Sequence, residues 1–318
     1  MINILRLLII PMIPLMSCQP TNLKFELLET SVLDNIPGAS GVANNDQYIF
    51  VVGDNSPYLY LLDHAGNQIL TTAIYSTDEF RDGEIIKSLK PDFEAMELIS
   101  GKEHDEVIIF GSGSKSPNRD IFVQVTLSEE PIVKSFSLIS FYDQIRSMEI
   151  MRGHELNIEA VALFENKLLL FNRSNNLIFE FPYDAFLNYM NRESKFPIPV
   201  VSKLKLPSIG NIEAGFSGAS IIPGTNTLIF TASVEDTPNA YDDGDVLGSF
   251  ICTIDLDQLN DPEKLNSILI EKVKEPWQIK VESVSILNKI SDRELEIVLV
   301  TDSDGAESLL LKGKLEIR

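Results

Sequence analysis

The stretch Lys90–Thr126, KPDFEAMELISGKEHDEVIIFGSGSKSPNRDIFVQVT, decides the fold. A strand-like run opens it, led by a carboxylate, Glu94. A charged turn follows at Gly101–Glu106. A second apolar run, Val107–Phe110, ends in a Gly/Ser loop, and a third strand begins near Ile121. Short apolar or alternating runs with turn residues between them are the pattern of antiparallel strands. The same order recurs four more times.

One unit precedes the stretch. It runs through Ser40–Ala43, Tyr48–Asp54, Tyr58–Asp63 and Ile69–Tyr75. The stretch itself is completed by Ile132–Ser140. The third unit has Ile158–Phe164, Leu168–Arg173, Leu177–Pro182 and Val200–Leu206. The fourth has Phe216–Ile222, Thr227–Ser233, Gly248–Leu256 and Ser267–Val273. The fifth supplies only Val281–Leu287, Leu295–Asp302 and Ser308–Ile317, one strand short. A strand at Phe25–Thr30 stands unemployed at the other end. A circular array closes by letting the first strand complete the last sheet. The expected fold is therefore all-β, a five-bladed β-propeller closed by its N-terminal strand. A six-bladed ring with one degenerate blade is the alternative. Phe141–Glu155 and Tyr183–Glu193 have room for short helices.

Ser40, Glu94, Glu159, Ser217 and Glu282 occupy one equivalent position, the start of each innermost strand. In a propeller this puts Glu94, Glu159 and Glu282 close to the axis on one face. The ends of the second strands reach the same face and carry Asp54, Ser112, Arg173, Ser233 and Asp302. The loops that follow add Lys115, Arg119, Glu235, the acidic run Asp242-Asp243-Gly244-Asp245, and Asp304. The other face receives ordinary turns, Asn44-Asn45, Glu103-His104-Asp105, Glu165-Asn166 and Asn288–Asp292. Ligand binding is expected at Glu94, Glu159, Glu282, Arg173, Arg119, Asp54, Asp302 and Ser112.

Three carboxylates crowded on an axis raise one another's pKa or recruit a cation. A hard cation such as Ca²⁺ takes six to eight oxygens. Glu94, Glu159 and Glu282 are the expected metal ligands, with Asp54 and Asp302 able to add to the set. Alternatively Arg119, Arg173 and Lys280 neutralise the glutamates and merely close the pore. If there is a reaction, Glu159, Arg173 and Arg119 are the candidates to carry it. Other signals are weak. His64, His104 and His154 lie in different loops and make no zinc set. The Gly111–Ser114 loop precedes a strand, so it lacks the helix that a phosphate loop needs. No nucleophile elbow appears. Trp277 and Tyr241 are candidates for the rim.

The chain has 318 residues, a formal net charge of −21 and 44% hydrophobic residues. That composition suits a globular body and disfavours nucleic acid as a partner. Residues 1–17 combine Arg6 with an apolar run, Leu7–Met16, that is too short to span a bilayer, which needs roughly 20 residues. The run stops at Leu15-Met16-Ser17-Cys18. This looks like a bacterial lipoprotein signal, with Cys18 acylated, residues 18–22 as a tether and residues 23–318 as a single domain. The expected location is the bacterial cell envelope, periplasmic or outer-membrane associated, with the membrane reached through the lipid on Cys18. A monomer is expected. Cys252 alternates with Phe250 and Ile254 and reads as a small buried hydrophobe.

The strand openings Asp92-Phe93-Glu94-Ala95, Asn157-Ile158-Glu159-Ala160 and Val281-Glu282-Ser283-Val284 resemble those of bacterial phytase-like (esterase-like) propellers. KPDFEA with GSGS and NR, then NIEA and FNR, is similar to a family of uncharacterised bacterial β-propeller lipoproteins. In the related gluconolactonase-like propellers a strand-opening Glu helps hold a catalytic calcium on the axis. That resemblance implies Glu94 or Glu159 as the ligand. The expected function is a membrane-anchored propeller that binds a small-molecule or protein ligand at its acidic and arginine-lined axial face. The alternative is a metal-dependent hydrolase acting on a phosphoester, ester or lactone.

Overall fold

The computed structural model describes residues 22–81, 83–237, 244–270, 279–302 and 307–318. The expected lipoprotein signal and Cys18 lie outside the described residues. So do Tyr241, Asp242, Asp243, Trp277 and Asp304.

Apolar runs such as VIIF at 107–110 and LLLF at 168–171 are continuous, not alternating. A strand of that kind must be buried on both faces. The structure meets the requirement with five four-stranded antiparallel sheets arranged as a five-bladed β-propeller. Blade one is Ala39–Asn44, Ile49–Gly53, Tyr58–Leu62 and Gln68–Ala73, from the axis outward. Blade two is Phe93–Ile99, Glu106–Gly111, Ile121–Thr126 and Ile132–Ser137. Blade three is Ile158–Phe164, Lys167–Asn172, Leu177–Pro182 and Val200–Lys203. Blade four is Gly215–Ile221, Thr227–Asp236, Asp245–Asp255 and Asn266–Leu269. Blade five is Lys280–Ser291, Glu294–Asp302, Leu309–Ile317 and, as its outer strand, Leu23–Val32. The first strand therefore closes the ring, in register from Leu23 opposite Ile317 to Val32 opposite Leu309. The six-bladed alternative is excluded.

Successive side chains on a strand point to opposite faces, and each face meets a different neighbour. Leu168 and Leu170 pack toward blade two with Phe110 and Phe122. Leu169 and Phe171 pack toward blade four with Phe216 and Phe230. Three further apolar clusters fill the junctions of blades four and five, five and one, and one and two. Each junction has its own core, so the ring has no unfilled seam among the described residues. The regions expected to hold helices form Ile139–Arg146 and Tyr183–Met190. They wedge Phe141, Tyr142, Ile145 and Phe186 into the core between blades two and three. Cys252 is fully buried in the blade three–four core. Burial pushes its thiol pKa up and keeps it protonated, as a small hydrophobe.

The blades are also stitched at one end of the ring. The Ala39 amide donates to Ser308 Oγ at 3.0 Å, and the Asp92 amide to the Asp54 carbonyl at 3.1 Å. The Ile158 amide donates to the Ser112 carbonyl at 2.7 Å. Arg173 donates to the Phe216 carbonyl at 3.2 Å, and Ser233 to the Val281 carbonyl at 2.9 Å. Every junction carries at least one such bond at the end where the innermost strands begin.

Candidate functional site: the axial funnel

All five innermost strands break register at the same place. The irregularities fall between Ala39 and Gly41, Phe93 and Ala95, Ile158 and Ala160, Phe216 and Gly218, and Val281 and Ser283. The skipped residues are Ser40, Glu94, Glu159, Ser217 and Glu282, the five read as equivalent from sequence. A β-bulge inserts one unpaired residue and re-aims its side chain. Here it is repeated around the axis at the mouth of a funnel of about 1760 Å³. Asp54, Glu94, Arg119, Glu159, Arg173 and Asp302 line that funnel. Glu282 lies beneath its wall at 3% exposure. Ser112 is fully buried, and its hydroxyl donates to Asp92, so it positions a neighbour without facing the funnel.

Two charged groups meet here. In the first, Lys90 bridges Asp54 and Asp92, reaching Asp92 Oδ1 at 2.8 Å. Arg119 reaches Asp92 Oδ2 at 2.6 Å and Ser114 Oγ at 2.7 Å. Burial alone would raise the Asp92 pKa, but Lys90 and Arg119 outweigh it and hold the carboxyl below the usual range. Asp92 adopts φ 55°, a left-handed conformation that a short Asp side chain tolerates. In the second group, Arg173 lies 3.9 Å from Glu159 and 3.3 Å from Glu235. Lys280 bridges Glu235 at 2.9 Å and Glu282 at 2.8 Å. Asn157 donates to Glu159 Oε1 at 2.6 Å. Burial raises the Glu159 pKa, and Arg173 and Lys280 offset it only in part. Glu282 is pushed up to about 8 by burial, against the pull of Lys280.

Glu94 is different. Among the described residues it has no hydrogen bond and no ion pair. Burial pushes its pKa well up, and Glu159, Asp92, Asp54 and Glu282 add to the effect with charges of its own sign. A buried carboxyl pushed up in this way at the mouth of a charged funnel meets the condition of a tuned functional group.

Two glycines make this geometry possible. A Cβ on Gly38, which has φ +54°, would strike the Asp54 carboxylate. A Cβ on Gly215 would lie 2.5 Å from Arg173 Cγ. Both glycines stand two residues before a bulge serine, so each opens a slot through which a neighbouring charged side chain reaches the axis.

One trio of acids could hold a metal among the described residues: Asp54, Asp92 and Glu94, with carboxylate oxygens within 4.8 Å of one another. Of the three glutamates expected to share a cation, only Glu94 belongs to it. Sequence reasoning left Lys90 out, because it sits in an irregular segment, although its place two residues before Asp92 and four before Glu94 was a signal. It also left out the aromatic side of the funnel, Tyr58, Tyr60 and Phe80. His154 lines the same funnel, away from His64 and His104. Asp245 is an exposed residue at the start of its strand.

The fold and site together define a five-bladed propeller with a charged axial funnel. The chain belongs to a family described as "Family of unknown function (DUF6929)", whose model matches residues 35–315. Similar solved structures include Myxococcus xanthus glutaminyl cyclase, at 10% identity and TM-score 0.48, covering 94% of this chain and 100% of that one. An α-L-arabinanase mutant from Cellvibrio cellulosa is similar at 11% identity and TM-score 0.47, covering 88% of this chain and 91% of that one. A putative exported protein from Bacteroides fragilis follows at 9% identity and TM-score 0.42, with 93% and 96% covered. These likenesses carry no argument about activity, and the fold rests on the strand pairing itself. No curated protein matches the chain in sequence.

Proposed function

We propose that this propeller binds a small polar molecule in its axial funnel. One observation carries the reading. Lys90, Arg119, Arg173 and Lys280 are each engaged by carboxylates of the chain, whereas Glu94 faces the same funnel without a partner among the described residues. An ionisable group left unmatched in a concave site is the default mark of ligand recognition.

The reading includes a lipid anchor on Cys18, supported by the apolar run Leu7–Met16 that precedes it. The closing strand gives that anchor a direction. Leu33 and Ser308 line the funnel, whereas Leu23 pairs with Ile317 at the other end of the same strand pair. A lipid attached just before Leu23 would hold the funnel away from the membrane. No helix among the described residues is long and apolar enough to cross one.

A metal-dependent hydrolase is the second reading. The Asp54–Asp92–Glu94 trio favours it, as does the resemblance of the strand openings to phytase-like and gluconolactonase-like propellers. Those three residues would hold a cation such as Ca²⁺, which would supply Lewis-acid polarisation of a substrate oxygen. Arg119 and Arg173 would then face developing negative charge, with Glu159 beside them. Lys90 and Arg119 already engage Asp54 and Asp92, which ranks this reading below simple binding.

Thermal melts of the domain from Thr21 onward, against a panel of small molecules and Ca²⁺, test both. A ligand at a hundredfold excess over its dissociation constant raises stability by ~2.7 kcal/mol. The expected result is a shift lost in Glu94→Gln. A shift that survives Glu94→Gln would move the site out of the funnel. A Ca²⁺ shift lost in both Glu94→Gln and Asp54→Asn would promote the hydrolase reading.

A further inference from the structure

We infer that the funnel takes a small organic ammonium compound, held between the Glu94 carboxylate and an aromatic wall on blade one. This rests on the reading of the funnel as a ligand site and names the chemistry of its guest.

The first argument is charge. Asp54, Asp92, Glu94, Glu159, Glu235 and Glu282 form one electrostatic network with Lys90, Arg119, Arg173 and Lys280. Around it the funnel wall carries eleven Asp and Glu residues against six Lys and Arg among the described residues, an excess of acidic groups. An excess of one sign in a concave site concentrates guests of the opposite sign, and phosphate or carboxylate guests are disfavoured.

The second argument is an unused oxygen. Lys280 takes Glu282 Oε1, but Oε2 is buried with no hydrogen-bond partner among the described residues. The residue is 3% exposed, is skipped in the strand pairing, and feels the charges of Glu159 and Glu235. Buried polar atoms in native structures are almost always satisfied, and an exception calls for a reason. The same bulge in blade two presents Glu94, also without a partner among the described residues, at the funnel surface.

The third argument is the wall. Tyr58, Tyr60 and Phe80 all line the funnel. Tyr58 meets Tyr60 edge-on at 6.2 Å and Phe80 edge-on at 5.5 Å. Ser56 fixes the Tyr60 hydroxyl at 2.7 Å, and the Ile85 amide ties the Phe80–Ile85 ribbon to the Asn55 carbonyl at 2.8 Å. Tyr58 opens the third strand of blade one, and Asp54 follows its second strand. The wall and the acidic group therefore share one loop. Aromatic faces beside carboxylates are the chemistry that recognises ammonium groups. A metal ion would have to displace Lys90 and Arg119 from Asp54 and Asp92. An ammonium needs only Glu94 and a ring.

The test is calorimetric titration of the domain from Thr21 onward with choline and ethanolamine. The controls are the carbon isostere of choline, in which a carbon replaces the ammonium nitrogen, and sorbitol and Ca²⁺. Choline or ethanolamine is expected to bind, and the isostere at least ~10-fold more weakly than choline, about the factor that one cation–π and one ionic contact supply. Glu94→Gln is expected to weaken the ammonium guest by a similar factor while keeping a cooperative melt. Tyr58→Leu should weaken it without touching any ion pair. An isostere that binds as tightly as choline overturns the inference. Binding of only sorbitol or Ca²⁺, lost in Glu94→Gln, also overturns it and leaves the funnel reading standing. If no probe binds in a manner dependent on Glu94, both fall.

Discussion

Blades two, three and five and blades one and four share one backbone device and use it differently. In the first three the bulge carries a glutamate, preceded two residues earlier by Asp92, Asn157 or Lys280. In the other two it carries Ser40 or Ser217, preceded by Gly38 or Gly215. The serines satisfy themselves within the scaffold. Ser40 donates to the Phe93 carbonyl of the next blade, and Ser217 donates to Thr231 Oγ1 at 3.0 Å. The glutamates face charges from other blades. The bulge is thus scaffold, and the residue placed on it decides whether a blade builds the ring or furnishes the site.

The contrast can be broken most severely at Arg173, which leaves blade three and lies over Gly215 of blade four. Arg173→Ala leaves Glu159 without its ion pair and Glu235 with Lys280 alone, both in a buried setting. Losing one partner of a buried ion network costs roughly 3–5 kcal/mol, read from urea midpoints. A loss below ~1 kcal/mol, the scale of exposed pairs such as Arg152–Glu149, would mean that blade four's glycine slot is incidental.

A middle-sized effect separates the glutamate blades by pH. The folded chain holds a proton on Glu282 up to about pH 8, whereas an unfolded carboxyl releases it near 4.5. Stability from this group is present below the unfolded value and is lost as pH rises through about 8. Glu282→Gln should flatten that decline, leaving the slope due to Glu94 and to Glu97, which burial also pushes up to about 8. Parallel wild-type and variant curves would show that Glu282 is already ionised against Lys280.

The smallest effect belongs to a scaffold blade. Ser40→Ala should cost about 1 kcal/mol, the net worth of one hydrogen bond, with ligand shifts unchanged. A lost ligand response in Ser40→Ala would erase the distinction between the two kinds of blade.

Much of this was legible in the sequence because strand burial leaves a direct trace. Runs such as LLLF and VIIF declare strands covered on both faces, and the missing fifth-blade strand declared the closure by Leu23–Val32. The five bulge residues were legible as equivalents because each opens a repeat. The pairing of charges was not. Lys90 reaches Asp54 only because of the path taken by an irregular segment, and no periodicity encodes such a path. Ser112 sits at a strand end like Arg173, yet it turns inward to Asp92, a choice set by packing. The aromatic wall depends on the two-stranded ribbon Phe80–Arg81 and Glu84–Ile85, too short to leave a pattern.

The strand that closes the ring also sets the order in which the protein can be made. Of the described strands, Leu23–Val32 is the first to leave the ribosome, and its partner Leu309–Ile317 is the last. Throughout synthesis the early strand waits with unpaired backbone edges, the condition that invites pairing with other chains. Its side chains fit the wait. The segment alternates Leu23, Phe25 and Leu27 with Lys24 and Glu26, and an irregularity at Leu27/Glu29 interrupts its pairing. A strand that is charged on alternate positions and kinked is a poor template for a stranger, yet it remains a good match for the one edge it was made to meet.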